Sequence, residues 1–483
     1  MLKTLLRRAA VALAILAAVG TVALWYVVHD IPDALTRGPW PPQPVLIDDV
    51  RVVSMVPEAP PVQAGRAVLI ENGTISQVGP AGSVAPPPGA RVIRGTGMTL
   101  LPGLIDAHVH LNDEAELAGY LAHGVTGIRN MSGYPFHVDL AIRLVSGDLL
   151  GPDFVTTGRI LNSPGPNESV LQHLVTTADE ARAAVRAQYR AGFRTIKVYS
   201  NLRREPYEAI LDEAASLGMA VTGHTPEGVR SAGVPRERPF DIPWEASLGH
   251  GFTTLEHVET LVWHGLRDDL DLARMGDLAA RLARSGEPVT PTLIAHRRLV
   301  LIAESGGAYL DRPGSETINP FVRFVEQGAE AWWSGMDPAA YERPHTDFFV
   351  AATGLLHQAG VPLLAGTDAG GFGIIPGASL ARELELLVEA GLTPHDALAS
   401  ATRIGAEVLG FDDAGRVAPG YRANLTLLPD DPLQDVGAVE HPAGVMIRGE
   451  WLDADRLAGL RAAAADTSFV RSLWRALRML AAP

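Results

Sequence analysis

Short apolar blocks separated by amphipathic stretches dominate the middle of this chain. Leu104–His108, Val125–Arg129, Phe154–Ile160, Thr195–Tyr199, Ala220–His224, Thr253–His257, Val289–Leu293 and Pro362–Asp368 read as strands buried on both faces. Between them, Thr177–Ala191, Glu205–Leu217 and Leu270–Arg284 carry apolar residues at helical spacing. Eight strand-then-helix units predict an α/β fold, a (β/α)8 TIM barrel over 102–410. A doubly wound open sheet is the alternative, but no Gly-x-Gly-x-x-Gly turn follows the first strand. The stretch Ala295–Phe349 is too long for an ordinary connection and reads either as a lid or substrate wall or as a structural insertion.

The pattern changes at both ends. Asp49–Ser54, Ala67–Glu71, Thr74–Val78 and Arg91–Arg94 have strand character, with Asn72-Gly73 as a hairpin signal. Similar segments return at Gly415–Val417, Ala423–Leu428 and Gly444–Leu452. Neither group can close a core alone, so 49–101 and 411–453 together predict a small composite β-sandwich domain. Ahead of it, Lys3, Arg7 and Arg8 precede an uncharged run from Ala9 to Val28 that ends in Trp25 and Tyr26. That run is about long enough to cross a bilayer, so 1–30 reads as an uncleaved transmembrane anchor, with a cleaved signal peptide as the alternative. The basic flank would put the bulk of the chain outside the cytoplasm. Residues 31–48 read as a proline-rich stalk. Residues 454–483 read as an amphipathic helical tail, packed on the barrel, on a second subunit of a homo-oligomer, or at the membrane interface.

Composition narrows the function. The 483 residues carry a net charge of −15 with no basic stripe, which disfavours nucleic acid as a partner. There is no cysteine, which excludes disulfides, thiolate ligands and a cysteine nucleophile.

Candidate chemistry sits at the strand ends. In LPGLIDAHVHL, His108 and His110 are two apart on one strand and so project to the same side, as two ligands of one metal would. Lys197 follows on the fourth strand, His224 on the fifth, His257 on the sixth and Asp368 on the eighth. Barrel active sites collect at this end, and six such residues together are a poor coincidence. Tyr199 shares the side of Lys197 and reads as a substrate hydrogen-bond donor or an interior aromatic. Arg129, Arg159 and His173 read as substrate-binding or scaffold residues, and His296 as a residue of the mouth.

With PGLIDAHVHL, GVTGIRN, TIKVYS, GHTP, TLEHVETL, PTL, LLAGTDAG, ELELLVEAGLTPHDAL and GRVAPGYRANLTLLPDDPL in place, the chain resembles the amidohydrolase superfamily, near imidazolonepropionase and the prolidase-like enzymes. The resemblance implies two divalent metal ions, most often zinc. His108, His110 and Asp368 would hold one and His224 and His257 the other, with Lys197 bridging both as N6-carboxylysine. It implies hydrolysis of a small-molecule amide, such as a dipeptide or N-acyl amino acid, by hydroxide formed at the metals, with Asp368 handling the proton. Hydrolysis of a cyclic amide, lactone or ester, deamination (for which Glu227 is a candidate proton shuttle), and a catalytically silent binding scaffold remain alternatives.

Overall fold

The structure is a computed structural model that describes residues 13, 18–38, 41–166, 168–229, 240–339, 342–371 and 373–481. In chain order, the first strands are β1 (Val45–Val52), β2 (Gln63–Glu71), β3 (Thr74–Pro80), β4 (Arg91–Arg94) and β5 (Thr99–Pro102). A parallel series follows: β6 (Leu104–Val109), β7 (Val125–Asn130), β8 (Asp153–Thr156), β9 (Leu161–Asn162), β10 (His173–Leu174), β11 (Thr195–Val198), β12 (Ala220–Gly223), β13 (Phe252–Glu256) and β14 (Val289–Thr290). The last strands are β15 (Leu425–Leu428), β16 (Gly444–Ile447) and β17 (Glu450–Leu452).

Strands from the two chain ends share one eight-stranded sheet, ordered β17-β16-β15-β5-β1-β2-β3, with β4 also on β1. It is a single branched sheet where the sequence predicted a sandwich. The branch arises because β1 pairs β4 through residues 45–48 and β5 through residues 51–52. Asn72 (φ 52°) and Gly73 (φ 83°) make the β2–β3 turn, whose backbone needs positive φ at both positions. Val45, Ile47, Val68, Ile70, Leu100, Leu425, Leu427 and Met446 fill this sheet's own core.

The central strands give an α/β fold, but not the continuous closed barrel of the sequence reading. They form a three-stranded sheet, β6-β7-β8, and a six-stranded one, β10-β9-β11-β12-β13-β14. The predicted eighth strand, Pro362–Asp368, makes no ladder. It joins its neighbours through the isolated bridges Val289↔Leu363 and Val109↔Ala369. Asp106 fastens the same segment, accepting from Thr367 N at 3.0 Å and Thr367 Oγ1 at 2.6 Å. Helices Ala178–Arg190, Arg204–Ser216 and Leu272–Ser285 fall on the amphipathic stretches. Thr177 caps the first of them in a reciprocal box with Glu180.

The predicted membrane anchor is not supported, and neither is the extracytoplasmic placement built on it. Among the described residues no helix is long and apolar enough to cross a membrane. The described part of the apolar run is helical at residue 13 and over residues 18–29. Residues 1–12 and 14–17 of that segment lie outside the described residues. The segment read as a stalk is no free spacer either. Leu35 is 1% exposed within the main core, and its carbonyl accepts from Leu150 N at 2.8 Å.

Candidate active site

Strand ends bring most of the predicted residues into one place. His110 Nε2 lies 3.0 Å and His108 Nε2 3.4 Å from Asp368 Oδ1. Ligand atoms of these three residues fall within 4.8 Å of one another, a spacing that one ion can bridge. Lys197 Nζ lies 3.3 Å from His108 Nε2. The His257 ring is 4.7 Å from both the His108 and His224 rings, centroid to centroid. The second histidine pair is oriented from behind: Thr292 Oγ1 meets His257 Nδ1 at 2.6 Å, and Thr260 Oγ1 meets His224 Nδ1 at 3.2 Å. Each ring is therefore held through one nitrogen, which leaves Nε2 for another partner.

The backbone is strained at these points. His257 (φ 65°), Asp368 (φ 63°) and Thr292 (φ 51°) all take left-handed conformations that side chains disfavour. Such conformations persist where the surroundings fix them, and they gather at functional sites. Gly370 (φ 94°) follows Asp368, and a Cβ there would lie 1.8 Å from the His110 carbonyl oxygen, so only glycine lets the two strand ends approach.

Glu256 escapes the sequence reading. It is fully buried, and its Oε2 sits 2.6 Å from His108 Nδ1. Its Oε1 accepts from Arg129 Nη2 at 2.8 Å and Thr222 Oγ1 at 3.0 Å, and also from Thr254 Oγ1. Burial pushes the Glu256 carboxyl up, but Arg129 and the hydroxyls outweigh it and hold the group below the usual glutamate range. An ionised Glu256 fixes His108 as the Nδ1–H tautomer and aims the Nε2 lone pair at Asp368 and Lys197. The signal lay in the strand alternation: Thr254 and Glu256 share a side of β13, and polar residues there need partners inside the fold.

Arg129 therefore does not face substrate. It is 3% exposed and donates to the Ala107 carbonyl at 2.6 Å and Thr254 Oγ1 at 2.7 Å, as well as to Glu256. Arg159 is not at the metal-ligand cluster either. It donates to the carbonyls of Leu171 (3.0 Å), Val170 (3.2 Å) and Gln172 (2.7 Å), and with His173 it lines a separate cavity of about 60 Å³. His296 stands on the helix Leu293–Glu304, edge-on to Phe349 at 4.9 Å. Burial, and then the proximity of His257, push its imidazole down to about 3. Glu227 is buried, with its backbone N–H on the Ser200 carbonyl.

A cavity of about 280 Å³ opens on this cluster. His110, Asp368 and Tyr199 form its floor, and the Tyr199 ring lies 4.1 Å from that of His224. Ile160, Leu171, Phe321, Val322 and Val325 supply apolar walls, while Asn112, Ser132, Gln172 and Glu326 add polar groups. The helix Pro320–Ser334, inside the long stretch that the sequence left open between wall and insertion, is thus a wall of the cavity.

Electrostatics follow burial. Loss of water pulls the Lys197 ammonium down to about 8, against the carboxylates of Asp368 and Glu256. Burial raises Asp368, but His108 and His110 prevail and hold it well below the carboxylate range. Two further buried histidines pin the loops behind the ligand candidates. His137 accepts from Tyr134 N at 2.8 Å and meets the Leu111 carbonyl at 2.8 Å, and His264 bridges Thr225 Oγ1 and the Ile242 carbonyl. Burial lowers His137 to about 3 and His264 to about 4, from 6.5. Both folded values are depressed, so the stability held by these neutral rings is present above pH 6.5 and is lost as pH falls toward 4. Each unbound proton is worth about 1.4 kcal/mol per pH unit. Urea titrations at pH 7 and pH 5 should therefore differ by about 3 kcal/mol or more in unfolding free energy. Equal values would show that these rings stay exposed or charged.

Comparison with known proteins bears on family and fold. Residues 326–452 match the model of the Amidohydrolase family. Ochratoxinase of Aspergillus niger is 23% identical over 454 residues, covering 78% of this chain and 80% of that protein. Among solved structures, a bottromycin amidohydrolase is 25% identical with a TM-score of 0.69, covering 92% of this chain and 97% of the other. A Xaa-Pro dipeptidase with bound methionine in its active site is 20% identical with a TM-score of 0.63, covering 85% and 100%. By the family match over residues 326–452 and by fold, the chain is similar to the amidohydrolase-superfamily hydrolases, enzymes acting on carbon–nitrogen bonds.

Proposed function

We propose that the chain is a binuclear metal-dependent hydrolase that cleaves an amide bond of a small molecule, such as a dipeptide or N-acyl amino acid. The single observation behind this reading is the convergence of His108, His110 and Asp368, with Lys197, His224 and His257 adjoining, beside a cavity that His110 and Asp368 line. The donor set suits zinc: neutral imidazoles, held neutral by burial, and an ionised carboxylate. His108, His110 and Asp368 would hold one ion and His224 and His257 the other. Lys197 would span them as a carbamate, because a free ammonium has no lone pair to offer. Such ions make hydroxide available near neutral pH and polarise a carbonyl.

The protein's own groups do the rest. Asp368, on the cavity floor, would take the proton from the attacking water and return it to the departing nitrogen. The Tyr199 hydroxyl would hydrogen-bond the substrate carbonyl. Glu256 keeps His108 in one tautomer throughout. Apolar walls at Ile160, Phe321 and Val325 would take an apolar group beside the scissile bond. The Xaa-Pro dipeptidase among the similar structures favours an amide of an amino acid.

Metal content tests this first. Protein purified with zinc should carry about two ions per chain, and chelation should abolish amide turnover and lower the melting temperature by several degrees, both restored by zinc. Protein that holds no metal after supplementation would be a silent scaffold, and the proposal would fall.

A further inference from the structure

The C-terminal helix Phe469–Ala481 reaches the candidate site from outside the parallel sheets. Its inward face carries two buried guanidinium groups: Arg471 is 3% and Arg475 6% exposed. Burying such a group is costly unless its donors are met, so a helix that only covered apolar surface would not carry two. Both meet the loop that follows His110. Arg475 Nη1 donates to the Asn112 carbonyl at 3.0 Å and Nη2 pairs with Glu114, while its guanidinium lies 4.2 Å from the Phe136 ring centre. Arg471 Nε donates to Asp113 Oδ2 at 2.7 Å, and Ser468 N reaches the same oxygen at 3.0 Å. Between the two arginines, Ser472 Oγ accepts from Asn319 Nδ2 at 2.9 Å and donates to the Asn112 carbonyl at 3.4 Å.

Asn112 and Asn319 each control one wall of the cavity. Asn112 lines it, and its Nδ2 donates to the carbonyls of His110 (3.1 Å) and Gly370 (3.4 Å), tying together the strand ends that carry His110 and Asp368. Asn319 caps the wall helix Pro320–Ser334, its Oδ1 accepting from Phe321 N at 2.9 Å. Phe469 adds edge-on contacts to Phe321 at 5.9 Å and Phe324 at 5.6 Å. One helix therefore holds both sides of the mouth.

We propose that the C-terminal helix is a positioning element of the substrate cavity. Through Arg475 and Ser472 it fixes Asn112 and Asn319, and so sets the spacing between the loop after His110 and the facing wall helix. The inference rests on the reading of this cavity as the amide site. Its residues touch neither the ligand candidates nor substrate, so its effect belongs in substrate binding rather than in the chemical step.

The full chain should be compared with Arg475→Met, Arg475→Lys and Ser472→Ala, zinc-loaded, on an amide substrate found by screening. Arg475→Met should raise KM about tenfold, with kcat within about twofold and metal content unchanged, as expected for losing a charged hydrogen bond that positions a wall. Arg475→Lys and Ser472→Ala should fall between it and the parent. Hydrogen exchange supplies a readout that needs no turnover: residues 111–116 and 320–326 should exchange faster in Arg475→Met, and β12 and β13 should not. Unchanged KM with unchanged exchange in those two segments would overturn the proposal, as would a joint fall of kcat, metal content and melting temperature at constant KM. A parent without amidase activity would remove the functional reading, and exchange would still decide this one.

Discussion

Replacing Lys197 by Ala should lower kcat/KM for the amide substrate by about 10³-fold, and Asp368→Asn should lower it by about 10⁴-fold, by different routes. Lys197 is 1% exposed, with its amine 3.3 Å from His108 Nε2. As a carbamate it would supply two anionic oxygens to the centre, and alanine supplies none. Metal content should therefore fall with activity. A short carboxylate such as acetate or propionate, which fits the vacated side-chain volume and offers two oxygens, should restore part of both. Asp368→Asn keeps the shape and one oxygen but cannot carry a proton, so its metal content should fall less than its kcat and no added carboxylate should rescue it. Loss in Lys197→Ala that no carboxylate relieves, with metal content intact, would mean that Lys197 acts as an amine and that the bridging role is wrong.

The residues at strand ends were legible in the sequence because a strand alternates, and because a parallel sheet gathers its polar positions at one edge. His108, His110, Lys197, His224, His257 and Asp368 all stand out against apolar runs. The layer beneath them was not legible in the same way. Arg129 and Glu256 look like any charged pair in a linear chain, and only contact across a sequence separation of 127 makes them a buried unit. Arg159 invites a reading toward substrate because a guanidinium suits a carboxylate; in the fold its donors are taken by three backbone carbonyls of one loop. The eighth strand was readable as apolar sequence, yet its geometry is set by two bridges and by Asp106, which local propensity does not encode. At the terminal run, hydropathy predicts a span that no helix among the described residues supports.

The second large effect is expected at Arg129. Arg129→Met should destabilise the fold by about 3–5 kcal/mol, because it leaves the Glu256 carboxylate buried without its cation. In the parent, Glu256 titrates below the ordinary glutamate range, so the stability it confers is present above about pH 4.5 and is lost as pH falls through its lowered value. Without Arg129, burial raises the carboxyl. The folded state then keeps a proton that the unfolded state releases, so the loss of stability relative to the parent should be larger at pH 7 than at pH 5. The double variant Arg129→Met with Glu256→Gln replaces the ion pair by neutral groups and should recover most of the lost stability. It should not recover activity. The amide oxygen that Glu256→Gln introduces still accepts from His108 Nδ1 but lacks the charge that raises the basicity of Nε2, so metal affinity should stay about 10- to 100-fold weaker. Urea titrations of the parent, both single variants and the double variant at pH 5 and 7, with metal binding measured on each, separate the two roles. An Arg129→Met protein as stable as the parent at pH 7 would show that Glu256 is not held ionised beneath His108, and the tautomer assigned to that imidazole would lose its support.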